Sequence, residues 1–141
     1  MVTKRVSRPV TPVGLSQEEY RRQVAADMKE KVLQANVRRL AAAMGWMVWC
    51  WWNSQHSPPG FPDLVLVHPG QGRILFRELK RSGSKGRITT AQKACMAALT
   101  AAGMDVAVWR PEDWLNGTVE AELAAPLNER RCVAPGVDPT V

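Results

Sequence analysis

No stretch of this chain approaches the roughly 20 apolar residues needed to cross a bilayer, and no apolar segment follows the charged residues near its start. Membrane and secreted classes are therefore not expected, and a cytoplasmic protein is. Cysteine is scarce: Cys50, Cys95 and Cys132 are odd in number, widely spaced and outside any CxxC or Cys/His cluster. That pattern argues against a disulfide framework and structural zinc, and for reduced thiols. There is no internal repeat, and ten glycines, ten prolines and a 23% charged fraction set aside collagen-like, coiled-coil and wholly disordered classes. What the sequence does have is positive charge. Nineteen Lys and Arg stand against thirteen Asp and Glu, a net charge of +6 over 141 residues, enough to draw the protein towards a polyanion such as nucleic acid. A 45% hydrophobic content suits one domain with one core.

Residues 1–15 carry Lys4, Arg5 and Arg8 among Pro9, Pro12 and Gly14, without an apolar period, and read as a basic flexible arm. Ser16 and Glu19 form a capping-box signal for a long helix running to about Met44. Its apolar stripe is Leu33, Val37, Leu40, Ala41 and Met44, and Gly45 is placed as the stop. Residues 46–52, apolar on both alternate faces, suit a strand covered on both sides. A loop containing His56 follows. Two further strands, residues 62–67 and 73–80, are joined by His68-Pro69-Gly70-Gln71-Gly72 as an antiparallel hairpin. A basic loop over residues 81–87 leads to a second helix capped by Thr89 and stopped at Gly103, and a last strand ends before Pro111. The order is αβββαβ over residues 16–115, an α/β domain with a mixed sheet flanked by helices. Residues 116–141 form a tail with one short helix near residues 119–123. Trp46, Trp49, Trp51 and Trp52 are read as core or subunit-interface residues in preference to a base-stacking surface.

The hairpin concentrates the chemistry. With its turn centred between Gly70 and Gln71, Asp63 faces Glu78 across the two strands. Direct cross-strand partners lie about 5 Å apart and like charges there destabilise the sheet, a penalty that a divalent cation reverses. Lys80 lies two residues beyond Glu78 and shares its face. Ile74 and Phe76 share that face too, and mark it as buried rather than solvated. Glu30, three residues before Leu33, is expected to point inward or to the rim of the first helix, with Gln34 one turn later. Gln92 has two open readings: an amide aimed at the sheet, or the closing partner of a Thr89 capping box. Arg81, Lys85 and Arg87 follow Lys80 directly and suit contacts to phosphate.

Gly60-Phe61-Pro62-Asp63-Leu64, then Glu78-Leu79-Lys80, then Thr89 to Gln92 and the stretch from Leu99 to Gly103 resemble the VRR-NUC branch of the PD-(D/E)xK nucleases, over roughly residues 30–114. The resemblance implies a restriction-endonuclease-like αβββαβ fold and a nuclease dependent on Mg²⁺ or Mn²⁺, without an organic cofactor. It implies Asp63 and Glu78 as metal ligands, Glu30 as the helix carboxylate, Lys80 as catalytic lysine and Gln92 as the motif glutamine. The main-chain carbonyl of Leu79 is a further candidate ligand, because hard oxygen donors suit these ions. Lys80 has two open roles: lowering the pKa of the attacking water, or stabilising developing negative charge. Small bacteriophage members that the chain resembles imply a homodimer acting on branched DNA, with Holliday junction resolution as the leading activity. The competing class is a non-catalytic DNA-binding or virion-associated protein that retains the fold.

Overall fold

The computed structural model describes residues 14–51 and 59–124. Most of the basic arm, His56, Trp52 and most of the tail lie outside the described residues. The chain opens with α1 (Gln17–Asp27), α2 (Glu30–Ala43), β1 (Met47–Cys50), β2 (Leu64–His68) and β3 (Arg73–Leu79). It continues through α3 (Thr90–Ala101), β4 (Asp105–Trp109), α4 (Pro111–Leu115) and α5 (Thr118–Ala124). No helix among the described residues is long and apolar enough to cross a membrane.

The capping box forms at the start of α1: Glu19 N–H donates to Ser16 Oγ, and Ser16 N–H donates to the Glu19 carboxylate. The long helix expected up to Met44 is instead two helices, because Met28 and Lys29 take extended backbone angles. The packing explains the break. Residues 17–27 bury only Ala25, on α4, whereas α2 buries Leu33, Val37 and Ala41 against the sheet. The bend lets each helix turn its apolar side to its own neighbour. α2 ends at Gly45, as its sequence indicates.

The four strands form one mixed sheet in the order β1-β2-β3-β4. β1, β2 and β3 are antiparallel neighbours, and α3 crosses over so that β4 runs parallel to β3. In the hairpin Leu64 pairs with Arg77, Leu66 with Leu75 and His68 with Arg73. This is the register expected from the turn, and its continuation by one residue sets Asp63 opposite Glu78. The turn is held by His68, whose Nδ1 accepts the Gln71 N–H at 3.0 Å.

One face of the sheet carries the core. Leu64, Leu66, Leu75, Leu79 and Trp109 pack with the α2 residues and with Val119 and Leu123 of α5. Trp46 joins them, and its indole N–H donates to the Leu123 carbonyl at 3.2 Å. The other face is open along β1 and the start of β3, where Met47, Trp49 and Ile74 are exposed. Two expectations are thereby corrected: the strand after Trp46 is covered on one face only, and Ile74 does not mark the Glu78 face as buried. α3 packs on β4, which shields the neighbourhood of Glu78 but not the opposite end of that face.

Candidate active site

Asp63 enters the hairpin just after Pro62, where its side chain takes over from the backbone ladder: the Leu79 N–H donates to Asp63 Oδ2 at 2.9 Å. That bond fixes the carboxylate beside the end of β3. Opposite it, Glu78 is only 2% exposed. Its Oε1 is engaged twice, by the Gln92 amide at 2.7 Å and the Lys80 ammonium at 3.3 Å. Its Oε2 is buried and receives no hydrogen bond from a protein donor; only a proton on one of the two carboxyl groups lets it bond to Asp63. Burial, then the neighbouring Asp63 carboxylate, push the Glu78 carboxyl up to about 7, against the pull of Lys80. A buried oxygen without a donor beside a second carboxylate is unfavourable for the bare protein and is relieved by a cation.

Both readings of Gln92 hold at once. Its Oε1 accepts the Thr89 N–H at 2.9 Å, closing the capping box, while its Nε2 donates to Glu78. The cap therefore aims the amide at the carboxylate. Lys80 is placed by the sheet, since its N–H donates to the Trp109 carbonyl at 3.1 Å. The Leu79 side chain is buried in the core on the other face, as the alternation of the strand requires. Glu30 is different. The break at Met28 and Lys29 makes it the first residue of α2, an exposed end position, and among the described residues no hydrogen bond or ion pair joins it to Asp63, Glu78 or Lys80. The direct contacts thus join Glu78 to Lys80 and Gln92, with Asp63 opposite it, and place Glu30 at the exposed start of α2. Among the described residues no group of three His, Cys, Asp or Glu side chains forms a metal cluster.

The loop after Lys80 is clasped by Arg110, a residue with no warning in the sequence. Its Nη1 donates to the Arg81 carbonyl at 2.7 Å and the Gly86 carbonyl at 2.8 Å. Gly86 allows this closure, because a Cβ there would lie 1.8 Å from the Arg81 carbonyl oxygen. Lys85 and Arg87 are left exposed. Arg81 leans the other way, its guanidinium 3.4 Å from the Ala26 carbonyl of α1.

Residues 4–112 match the model of the VRR-NUC domain family. The chain belongs to the VRR-NUC family. A solved structure described as a VRR-NUC domain is 23% identical, with 64% of this chain and 94% of that one covered at a TM-score of 0.52, and it shares the fold. None of the curated proteins matches. The VRR-NUC family is one of nucleases that generally use divalent metals. The unpartnered Glu78 Oε2 beside Asp63 fits such an ion: two carboxylates, with water and substrate oxygens completing the shell, is a donor set that Mg²⁺ accepts.

Gly60 of the VRR-NUC motif has a physical reason to be glycine. Its φ is +89°, and a Cβ there would lie 2.3 Å from the Ala91 carbonyl oxygen and 2.9 Å from the Gln92 nitrogen. Gly60→Ala is expected to push the first turn of α3 away from the site and pull Gln92 off Glu78. Stability should fall by about 2 kcal/mol and any cleavage by about tenfold or more, read from thermal unfolding and rate on one preparation. Wild-type values for both would show that the close approach does not position the amide.

Proposed function

We propose that this VRR-NUC domain is a divalent-metal-dependent DNA endonuclease whose ion is held by Asp63 and Glu78, with the Leu79 carbonyl as a further oxygen. The observation that supports this most is the asymmetry of Glu78: one oxygen is tied to Lys80 and Gln92, and the other is buried without a partner beside a second carboxylate. A bound Mg²⁺ or Mn²⁺ supplies Lewis-acid stabilisation of the phosphate oxygens and makes water a better nucleophile. Gln92 keeps the Glu78 carboxylate in one orientation. Lys80, with its side chain 12% exposed, stabilises negative charge as it develops on the phosphate. Lys85 and Arg87 bind flanking phosphates, and Arg81 orients their loop. Glu30 lies outside this ligand set.

The substrate in this reading is branched DNA in the cytoplasm, with four-way junctions resolved by a homodimer, because symmetrical cuts need two sites related by a two-fold axis. The nuclease domain in this reading begins at residue 16 and includes α5, whose Val119 and Leu123 belong to its core, in place of ending at residue 115. The deciding experiment compares cleavage of junction, flap, linear duplex and single-stranded DNA, with and without excess chelator, and measures the oligomeric mass of the same sample. Junction-selective, chelator-sensitive cutting by a dimer is expected. Equal cutting of all four by a monomer would remove junction resolution, and DNA binding without any cleavage would favour the non-catalytic class.

Metal uptake carries a pH signature. The Glu78 carboxyl titrates above its ordinary value, so the folded protein holds a proton that the unfolded chain releases from about pH 4.5 upward. In the metal-free protein the stability from this group therefore falls as pH rises towards about 7. The ion competes with that proton, so Mn²⁺ affinity should rise about tenfold per pH unit below about 7 and level off above it. Thermal-shift titrations with MnCl₂ at several pH values check this, and a flat affinity would show that Glu78 is not a ligand.

A further inference from the structure

The site's own face of the sheet bears a feature that the nuclease chemistry does not use. Trp49 pairs with Val65, and Val65 with Phe76, so these three form one row across β1, β2 and β3. Continuing both registers by two residues gives the next row: Trp51, Asp63 and Glu78. Strands are spaced about 4.8 Å apart, which places the Trp51 backbone one strand from Asp63 and two from Glu78. Trp46, on the opposite face, is buried at 3%, but Trp49 and Trp51 are 48% and 52% exposed. Large aromatics left open together in this way are informative.

The exposed rings are not loose. Trp51 meets Phe61 edge to face at 6.0 Å, and Phe61 meets Phe76 in the same manner at 6.1 Å. This chain of contacts holds the Trp51 indole from one side, while about half of the residue stays exposed. A second copy packed flat on these rings would also cover the adjoining Asp63 and Glu78 and shut a phosphate out. An unpaired base does the reverse: it stacks on the indole while its own backbone reaches the carboxylates. Charge agrees, because the exposed Lys85 and Arg87 follow the end of β3 that carries Glu78 and Lys80, the same end of the sheet as Trp51.

We propose that Trp49 and Trp51 form a stacking shelf for unpaired DNA bases beside the scissile phosphate. This rests on the nuclease reading in placing the phosphate at Asp63 and Glu78. The shelf makes a melted or single-stranded segment, rather than intact duplex, the form of DNA that enters the site. It reverses the preference of the sequence for a core or subunit role at these two positions, while Trp46 keeps the core role.

The test reads binding and not cleavage. Fluorescence anisotropy with an oligo-dT of about twelve nucleotides and with a blunt duplex is measured in excess chelator for wild type, Trp49→Ala, Trp51→Ala and Trp51→Phe. Each alanine variant is expected to lose about five- to a hundredfold in affinity for oligo-dT, with duplex affinity within about twofold of wild type, and Trp51→Phe is expected to lose less. Quenching of wild-type tryptophan fluorescence by oligo-dT, reduced in Trp51→Phe, keeps the test valid should an alanine variant misfold. Unchanged oligo-dT affinity, an equal loss for duplex, or a change in oligomeric mass in the variants would each overturn the shelf. The last of these would assign the rings to a subunit interface. Cleavage is not read, so a protein that loses oligo-dT on Trp51→Ala yet never cuts DNA supports the shelf while defeating the nuclease reading.

Discussion

Glu78→Gln is expected to reduce DNA cleavage by about a hundred- to a thousandfold or more while leaving the protein folded and, without metal, at least as stable as wild type. The two directions have one cause. Glu78 is buried beside Asp63, with one oxygen unpartnered, so a neutral amide of the same shape relieves like-charge repulsion and desolvation that the metal-free protein bears. The same change removes the charge that would hold the ion. Asp63→Asn should behave alike, since the amide oxygen can still accept the Leu79 N–H. Lys80→Met should also lose cleavage, but it strips Glu78 of its ammonium partner at 3.3 Å and should lower stability. Opposite stability changes with a shared loss of activity distinguish a built site from a structural ion pair. Cleavage rate and thermal unfolding, measured on the same three variants, give both readings; wild-type cleavage by Glu78→Gln would place the chemistry elsewhere.

Arg77→Ala should cause the largest loss of stability, about 3 kcal/mol. The Arg77 side chain is 1% exposed. Its Nη2 donates to Asp105 Oδ1 at 2.9 Å and to Glu122 Oε2 at 3.3 Å, and the guanidinium lies over the Trp109 ring at 5.0 Å. Glu122 in turn accepts the Trp109 indole N–H at 2.6 Å. Truncation takes the Arg77 guanidinium away from both carboxylates and opens a cavity, although their partial exposure to water tempers the loss. Arg77→Met fills the space and should lose less. Because β4 and α5 meet through this residue, its loss should loosen β4, whose Trp109 carbonyl also anchors Lys80. Denaturant unfolding of the two variants checks the order, and a wild-type midpoint for Arg77→Ala would show that the buried pair contributes no net stability.

The difference between Glu78 and Arg77 shows what a linear reading can reach. Asp63 facing Glu78 was legible, because a short connection fixes hairpin register and one residue of slip would turn every side chain to the other face. Lys80 followed from strand alternation, and Gln92 from a capping box that doubles as an aiming device. Arg77 was not legible, since its partners lie 28 and 45 residues away and nothing local marks an arginine in a strand as buried. Arg110 escaped for the same reason, its partners being carbonyls of a distant loop. The break after α1 was not legible, because the capping box at Ser16 and the apolar stripe of α2 give no sign that packing on two different neighbours bends the chain at Met28 and Lys29 and sets Glu30 at the exposed start of α2. For Trp49 and Trp51 only the core half of the core-or-interface reading is overturned by their exposure, because composition shows that a strand is apolar, not that one face of its sheet lacks a cover.

The most direct test of the central claim is the rate of phosphodiester cleavage as a function of free Mn²⁺, measured on a four-way junction with wild-type protein from chelator excess upward. The expected result is no cleavage in chelator and a saturable rise with the ion. Cleavage that persists in chelator, or none at any Mn²⁺ or Mg²⁺ concentration, would contradict a divalent-metal nuclease site at Asp63 and Glu78.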